Sequence, residues 1–138
     1  MNYLFMHPFF NKASGLTETI IGAAIEVHRN KGPGLIESIY EWCLEIEFRS
    51  RGIAFASQKI VRVEYKGFVR EEALRCDLLV EDCLLVEAKA VKEATPIHKA
   101  QLLSFMKLLN VPIGLLINFH DLKLINGVHR LILPGANR

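Results

Sequence analysis

A chain of 138 residues, 51% hydrophobic and 23% charged, has the length of one domain and enough apolar side chains to bury a core, which argues against a disordered or fibrous protein. Its formal net charge of +2, from 17 Lys+Arg against 15 Asp+Glu, is too small for a dedicated nucleic-acid coat, though it leaves room for a basic patch beside a cleft. Cys43, Cys76 and Cys83, an odd count without CxxC spacing, argue against a disulfide framework or a zinc knuckle. They fit reduced thiols in a cytoplasmic protein.

Residues 1–15, MNYLFMHPFFNKASG, read as an N-terminal arm that docks on the fold or on a second subunit; a homodimer is as open as a monomer. The arm is broken at His7-Pro8 and falls well short of the roughly 20 apolar residues of a membrane span. Thr17 is the expected N-cap of a first helix. Ile20, Ile21, Ala24, Ile25 and His28 make its apolar stripe, and KGPG ends it. On that stripe His28 reads as a satisfied core or cap histidine. A second helix runs from about Leu35 to Arg51, with Gly52 suited to the left-handed position beyond its end. The period then changes to two in SQKIVRVEYKG, a half-buried strand followed by a Lys66-Gly67 turn. Further strands are expected from about Val69 to Val80 and from Leu84 to Ala90. TPIHKAQLLSFMKLL is a helix with Thr95 at the N-cap and Pro96 at its first position. VPIGLLINF is a short buried strand, and LKLINGVHRLIL a closing hairpin that turns at Asn126-Gly127. This order predicts an α/β fold over residues 1–138 as a single domain. Its mixed sheet is flanked by helices, with a parallel crossover after the third strand.

The segment LRCDLLVEDCLLVEAKA, residues 74–90, places Asp77, Glu87 and Lys89 inside apolar strand patterns. Alternation sets Glu87 and Lys89 on one face together with Leu85, Arg75, Asp77 and Leu79, and sets Cys76 with Leu78 and Val80 on the other. Whether Asp77 meets Glu87 depends on the turn. A two-residue turn at Glu81-Asp82 separates them onto opposite faces, whereas a three-residue connection or a bulge pairs Val80 with Leu84 and Asp77 with Glu87. Two facing carboxylates repel unless a cation lies between them. Mg²⁺ or Mn²⁺ takes such oxygen ligands along with phosphates, and Lys89 can stabilise developing charge. The D…ExK arrangement therefore suits phosphodiester hydrolysis, and a salt-bridged sheet face is the plain alternative. His98, Gln101 and Phe105 share one face of the following helix, which can lean Gln101 over the acids. Glu37, near the start of its helix, is either a dipole-stabilising residue or a third acid.

GPGLIESIY carries Gly34, Glu37 and Tyr40 in a GxxExxY pattern, followed in order by RCDLLVED, VEAKA, HKAQLLSF and GLLINF. From about Thr17 to Arg130 the chain resembles the GxxExxY protein family, which is grouped with the PD-(D/E)xK nucleases. The resemblance implies a restriction-endonuclease-like core and metal-dependent cleavage of nucleic acid, DNA before RNA. It implies that Asp77, Glu87 and the main-chain carbonyl of Ala88 are metal ligands, with Glu37 assisting. Lys89 then positions the nucleophile, and Gln101 looks like the glutamine of a QxxxY motif in which Phe105 replaces the tyrosine. Cys76 stands where the superfamily name has proline. Arg75, Lys92, His98 and Lys99 are the candidate phosphate contacts, with a plain surface position on the helix the favoured alternative for His98. The competing reading is a non-catalytic nucleic-acid- or protein-binding module on the same fold. An enzyme acting on a small phosphorylated ligand is disfavoured by the lack of a Gly-rich phosphate loop.

Overall fold

Apolar residues at helical spacing bury two long helices, and continuous aliphatic runs bury the strands between them. The computed structural model describes residues 6–138; residues 1–5 of the expected arm lie outside the described residues. The elements are α1 (Phe10–Lys31), α2 (Glu37–Ser50), β1 (Phe55–Tyr65), β2 (Phe68–Val80), β3 (Leu84–Lys89), α3 (Pro96–Leu109), β4 (Ile113–Asn118) and β5 (Val128–Ile132). The five strands form one sheet in chain order. β3 and β4 pair parallel across the α3 crossover, and the other neighbours pair antiparallel. This is the expected α/β architecture. Among the described residues, no helix is long and apolar enough to cross a membrane.

Two cores sandwich the sheet. On one face Ile20, Ala24, Tyr40, Leu44 and Phe48 of α1 and α2 pack on Leu78, Val80, Leu84, Val86, Ala88, Leu115 and Ile117. On the other, Leu102 and Met106 of α3 pack on Cys76, Leu79, Leu85 and Leu116. Cys83 belongs to the first core and Cys76 to the second. The two thiols therefore lie on opposite sides of the sheet, and all three cysteines are free.

Three expectations change. Thr17 is not an N-cap: the helix begins at Phe10, and the Thr17 hydroxyl donates back to the Ala13 carbonyl at 3.1 Å within it. The physical reason is the burial of Phe10, Ala13 and Leu16 against the core, which extends the helix through half of the expected arm. What remains of the described arm is docked: the backbone N–H of His7 donates to the Ala136 carbonyl at 2.8 Å, and the His7 ring contacts the Asn110 carbonyl at 3.1 Å. At the other end Asn126-Gly127 is no two-residue hairpin turn. Leu124–Gly127 forms a 3-10 turn, because Leu124 is buried in the helix-side core and Gly127 presses on the Asn118 carbonyl, where a Cβ would lie 2.5 Å away. A single strand, β5, then runs antiparallel to β4.

The third change concerns Cys76, which does not share a face with Leu78 and Val80. Ala56 pairs with Leu79, but Gln58 pairs with Arg75. One β1 residue, Ser57, therefore spans three on β2, Cys76, Asp77 and Leu78. Such a bulge interrupts the alternation and re-aims side chains, which turns Cys76 to the α3 side.

Candidate functional site

The β2–β3 connection is Glu81-Asp82-Cys83, with φ of 50° at Glu81 and 57° at Asp82. It pairs Val80 with Leu84, Leu79 with Leu85 and Leu78 with Val86. This is the register that directs Asp77 toward Glu87 rather than to the opposite face. Regular pairing stops at Leu78 and Val86, where the bulge bends β2 away. Asp77 fills the break: its Oδ2 accepts the backbone N–H of Ala88 at 2.7 Å. A carboxylate thus takes the place of a strand carbonyl, and the β3 amide stays satisfied.

On β3, Lys89 Nζ lies 3.1 Å from Glu87 Oε1 and 3.9 Å from Glu37 Oε1. Glu37 opens α2 and gains from the helix dipole there. The loop before it is tied down by Tyr40, whose hydroxyl donates to the Gly32 carbonyl at 2.6 Å and accepts the Leu35 N–H at 3.1 Å. Gly34 needs its lack of a side chain, since its φ is 104°. The Tyr40 ring stacks on Phe119 at 4.5 Å between centroids, and His120 Nε2 donates to the Leu35 carbonyl at 2.8 Å. The Gly34, Glu37 and Tyr40 pattern is therefore one device: a left-handed glycine, a clamp, and the acid they present. The end of β3 is held in the same way. Buried Asn118 bonds both the N–H and the C=O of Val91, at 3.1 and 2.8 Å, and the Phe119 N–H donates to the Lys89 carbonyl at 2.8 Å.

The electrostatics show acids crowded around Lys89, with Arg75 acting on Glu41. Burial, with Glu41 next and then Glu87 and Glu37, pushes the Asp77 carboxyl up to about 7 against the opposing Ala88 N–H. Burial also raises Glu41, an effect that Arg75 opposes and Glu45 and Glu37 add to. Burial lowers the Lys89 pKa, but the charge and hydrogen bond of Glu87, with Glu37 and Asp77, outweigh it and hold Lys89 above its ordinary value as a cation. Glu87 Oε2 is buried and, among the described residues, has no hydrogen-bond partner. Arg75, Cys76, Asp77, Glu87, Leu102 and Phe105 line a cavity of about 40 Å³ beside these groups.

Asp77, Ala88, Glu87, Lys89 and Glu37 thus come together. Gln101 is exposed on α3 and, among the described residues, bonds to none of the acids, whereas Phe105 one turn on lines the cavity. His98 caps α3: its Nδ1 accepts the Thr95 N–H at 3.1 Å. Arg75 is exposed at the cavity rim, Lys92 is exposed after β3, and Lys99 is half-buried on α3. The sequence reading missed Glu41 and Asn118. The available signals were the helical spacing of Glu41 from Glu37 and a lone amide within the aliphatic run of β4.

The donors suit a hard divalent ion. A buried carboxylate oxygen without a partner among the described residues, and an acid raised by burial and by its neighbours, are both relieved by a cation, and Mg²⁺ asks for only one or two carboxylates. Among the described residues no three His, Cys, Asp or Glu side chains form a group that could hold an ion, so the fit rests on the two carboxylates and a carbonyl.

A mixed sheet between helices, with an acid on its second strand and an ExK pair on its third, defines a nuclease-type architecture. The family model of the PD-(D/E)XK nuclease superfamily matches residues 14–131, most of the chain, and the protein belongs to that superfamily. No curated protein and no solved structure matches the chain.

Proposed function

We propose that the protein hydrolyses phosphodiester bonds of nucleic acid, DNA in the first instance, with Mg²⁺ or Mn²⁺. The observation that carries this reading is Glu87: one oxygen is held by Lys89 and the other is buried with no partner among the described residues. Asp77, Glu87 and the Ala88 carbonyl would hold the ion, with Glu37 assisting. When bound, the ion polarises the phosphate and lowers the pKa of water at the site. Asp77 keeps the Ala88 backbone in place through its accepted N–H. Lys89, kept cationic by the surrounding acids, orients the attacking water and offsets charge developing on the phosphate. Gln101 and the basic groups Arg75, Lys92 and Lys99 are assigned to the substrate, and so is His98, whose cap uses only its Nδ1 among the described residues.

A second reading, a non-catalytic nucleic-acid- or protein-binding module, draws on the Lys89–Glu87 ion pair and on there being, among the described residues, no group of three His, Cys, Asp or Glu side chains placed to hold an ion. Isothermal titration with Mg²⁺ and Mn²⁺ separates the two. Nuclease chemistry requires binding that Glu87→Gln abolishes, and a site that takes up no ion leaves only the binding module.

A further inference from the structure

Beyond Gln58 and Arg75 the β1–β2 pair leaves the sheet as a two-stranded ribbon that closes at Lys66-Gly67. Both turn residues have positive φ, 50° and 85°. This is the two-residue hairpin turn whose closing pair, Tyr65 and Phe68, exchanges backbone hydrogen bonds. Tyr65, Val63, Val61 and Lys59 therefore point their backbone groups at β2. Glu64, Arg62, Ile60 and Gln58 point theirs outward. β1 is the terminal strand of the sheet. Among the described residues its outward groups bond no other backbone segment. The ribbon also carries an apolar load: Phe68 is 79% exposed, Ile60 73% and Tyr65 69%. A long apolar edge strand of this kind is a template for another strand.

The charges on that edge select the partner. Arg62 and Glu64 share a face, are exposed, and, among the described residues, form no ion pair within the chain. In an antiparallel pairing of β1 with a second β1, outward residues must meet outward residues. Centring the pair on Arg62 or on Glu64 opposes like charges. Centring it on Val63 sets each Arg62 against the partner copy's Glu64 twice over, Val63 against its own copy, and Val61 against Tyr65. We infer that β1 is a self-complementary interface through which two copies pair antiparallel about Val63, joining two sheets into one. The interface is isologous, as a two-fold dimer requires, and it does not depend on nuclease activity.

The test is the mass of the purified full chain in a concentration series by sedimentation velocity. A species of twice 15.6 kDa is expected. Arg62→Glu or Glu64→Arg alone should weaken association about tenfold or more, because each variant opposes like charges across the strands. The double swap R62E/E64R should restore it. Val63→Cys should form a disulfide-linked dimer on mild oxidation, a readout independent of how the charge variants fold. A single 15.6 kDa species at every concentration, a dimer indifferent to the charge reversals, or no cross-link through position 63 overturns the proposal. So does a monomer whose Arg62→Glu form loses only nucleic-acid affinity, which would make the ribbon a substrate arm.

Discussion

Asp77 accepts the backbone N–H of Ala88 at 2.7 Å across the point where β2 parts from β3. A side chain thereby closes the ladder that the backbone leaves open. Burial first, then the charges of Glu41, Glu87 and Glu37, push the same carboxyl up to about 7.

That raised carboxyl makes metal-free stability depend on pH. The Asp77 carboxyl titrates at 3.8 in the unfolded chain and about 7 when folded, so between these values the folded state holds the extra proton. Its stabilising contribution is complete below pH 3.8 and is lost as pH rises toward 7, at up to about 1.4 kcal/mol per pH unit. Asp77→Asn keeps an oxygen for the Ala88 N–H and removes the titration. Above pH 7 without metal, the variant should unfold at higher urea than the wild type, and Mg²⁺ should narrow the gap by stabilising only the wild type. Parallel urea midpoints across pH 4 to 8 would contradict this.

Tyr40→Phe should keep the stack on Phe119 while losing both hydroxyl hydrogen bonds that fasten the loop before Glu37. The expected cost is about 2 kcal/mol, since the Leu35 N–H is left without a partner as well. Urea denaturation measures it, and a change near zero would show that the clamp is dispensable.

Two glycines should respond in opposite directions. At Gly127 a Cβ would sit 2.5 Å from the Asn118 carbonyl oxygen and 2.6 Å from Asp121 Oδ2, so Gly127→Ala should destabilise by about 1–3 kcal/mol. Gly15 lies within α1 with nothing near its absent Cβ. Gly15→Ala should therefore stabilise by up to about 1 kcal/mol through helix propensity. Thermal unfolding of the two variants checks both signs.

The register of the β2–β3 connection was legible because side-chain parity left two choices, and the three-residue turn gives the one that pairs Val80 with Leu84 and aims Asp77 toward Glu87. The helix start at Thr95 was legible for the same kind of reason: a hydroxyl cap and a proline leave little local choice. What escaped the reading depends on partners distant in sequence. The bulge at Cys76–Leu78 breaks the β2 alternation beside the point where the Asp77 carboxylate takes the Ala88 N–H of β3. Glu41 matters only because α2 is packed where β2 opens. Thr17 reads as a cap until Phe10 and Ala13 find a core to bury them, and Asn126-Gly127 reads as a hairpin until Leu124 does the same. Local pattern carried the elements and their order, and tertiary burial decided where they begin.

The central claim is that Glu87 and Lys89 belong to a metal-dependent cleaving site. The most direct measurement is cleavage of supercoiled, linear, single-stranded and branched DNA by the purified protein, with Mg²⁺, Mn²⁺ or EDTA, beside Glu87→Gln and Lys89→Ala. Cleavage of at least one form is expected, stopped by EDTA and slowed by about 100-fold or more by each substitution. No metal-dependent cleavage by the wild type, or equal cleavage by the substituted proteins, would contradict it.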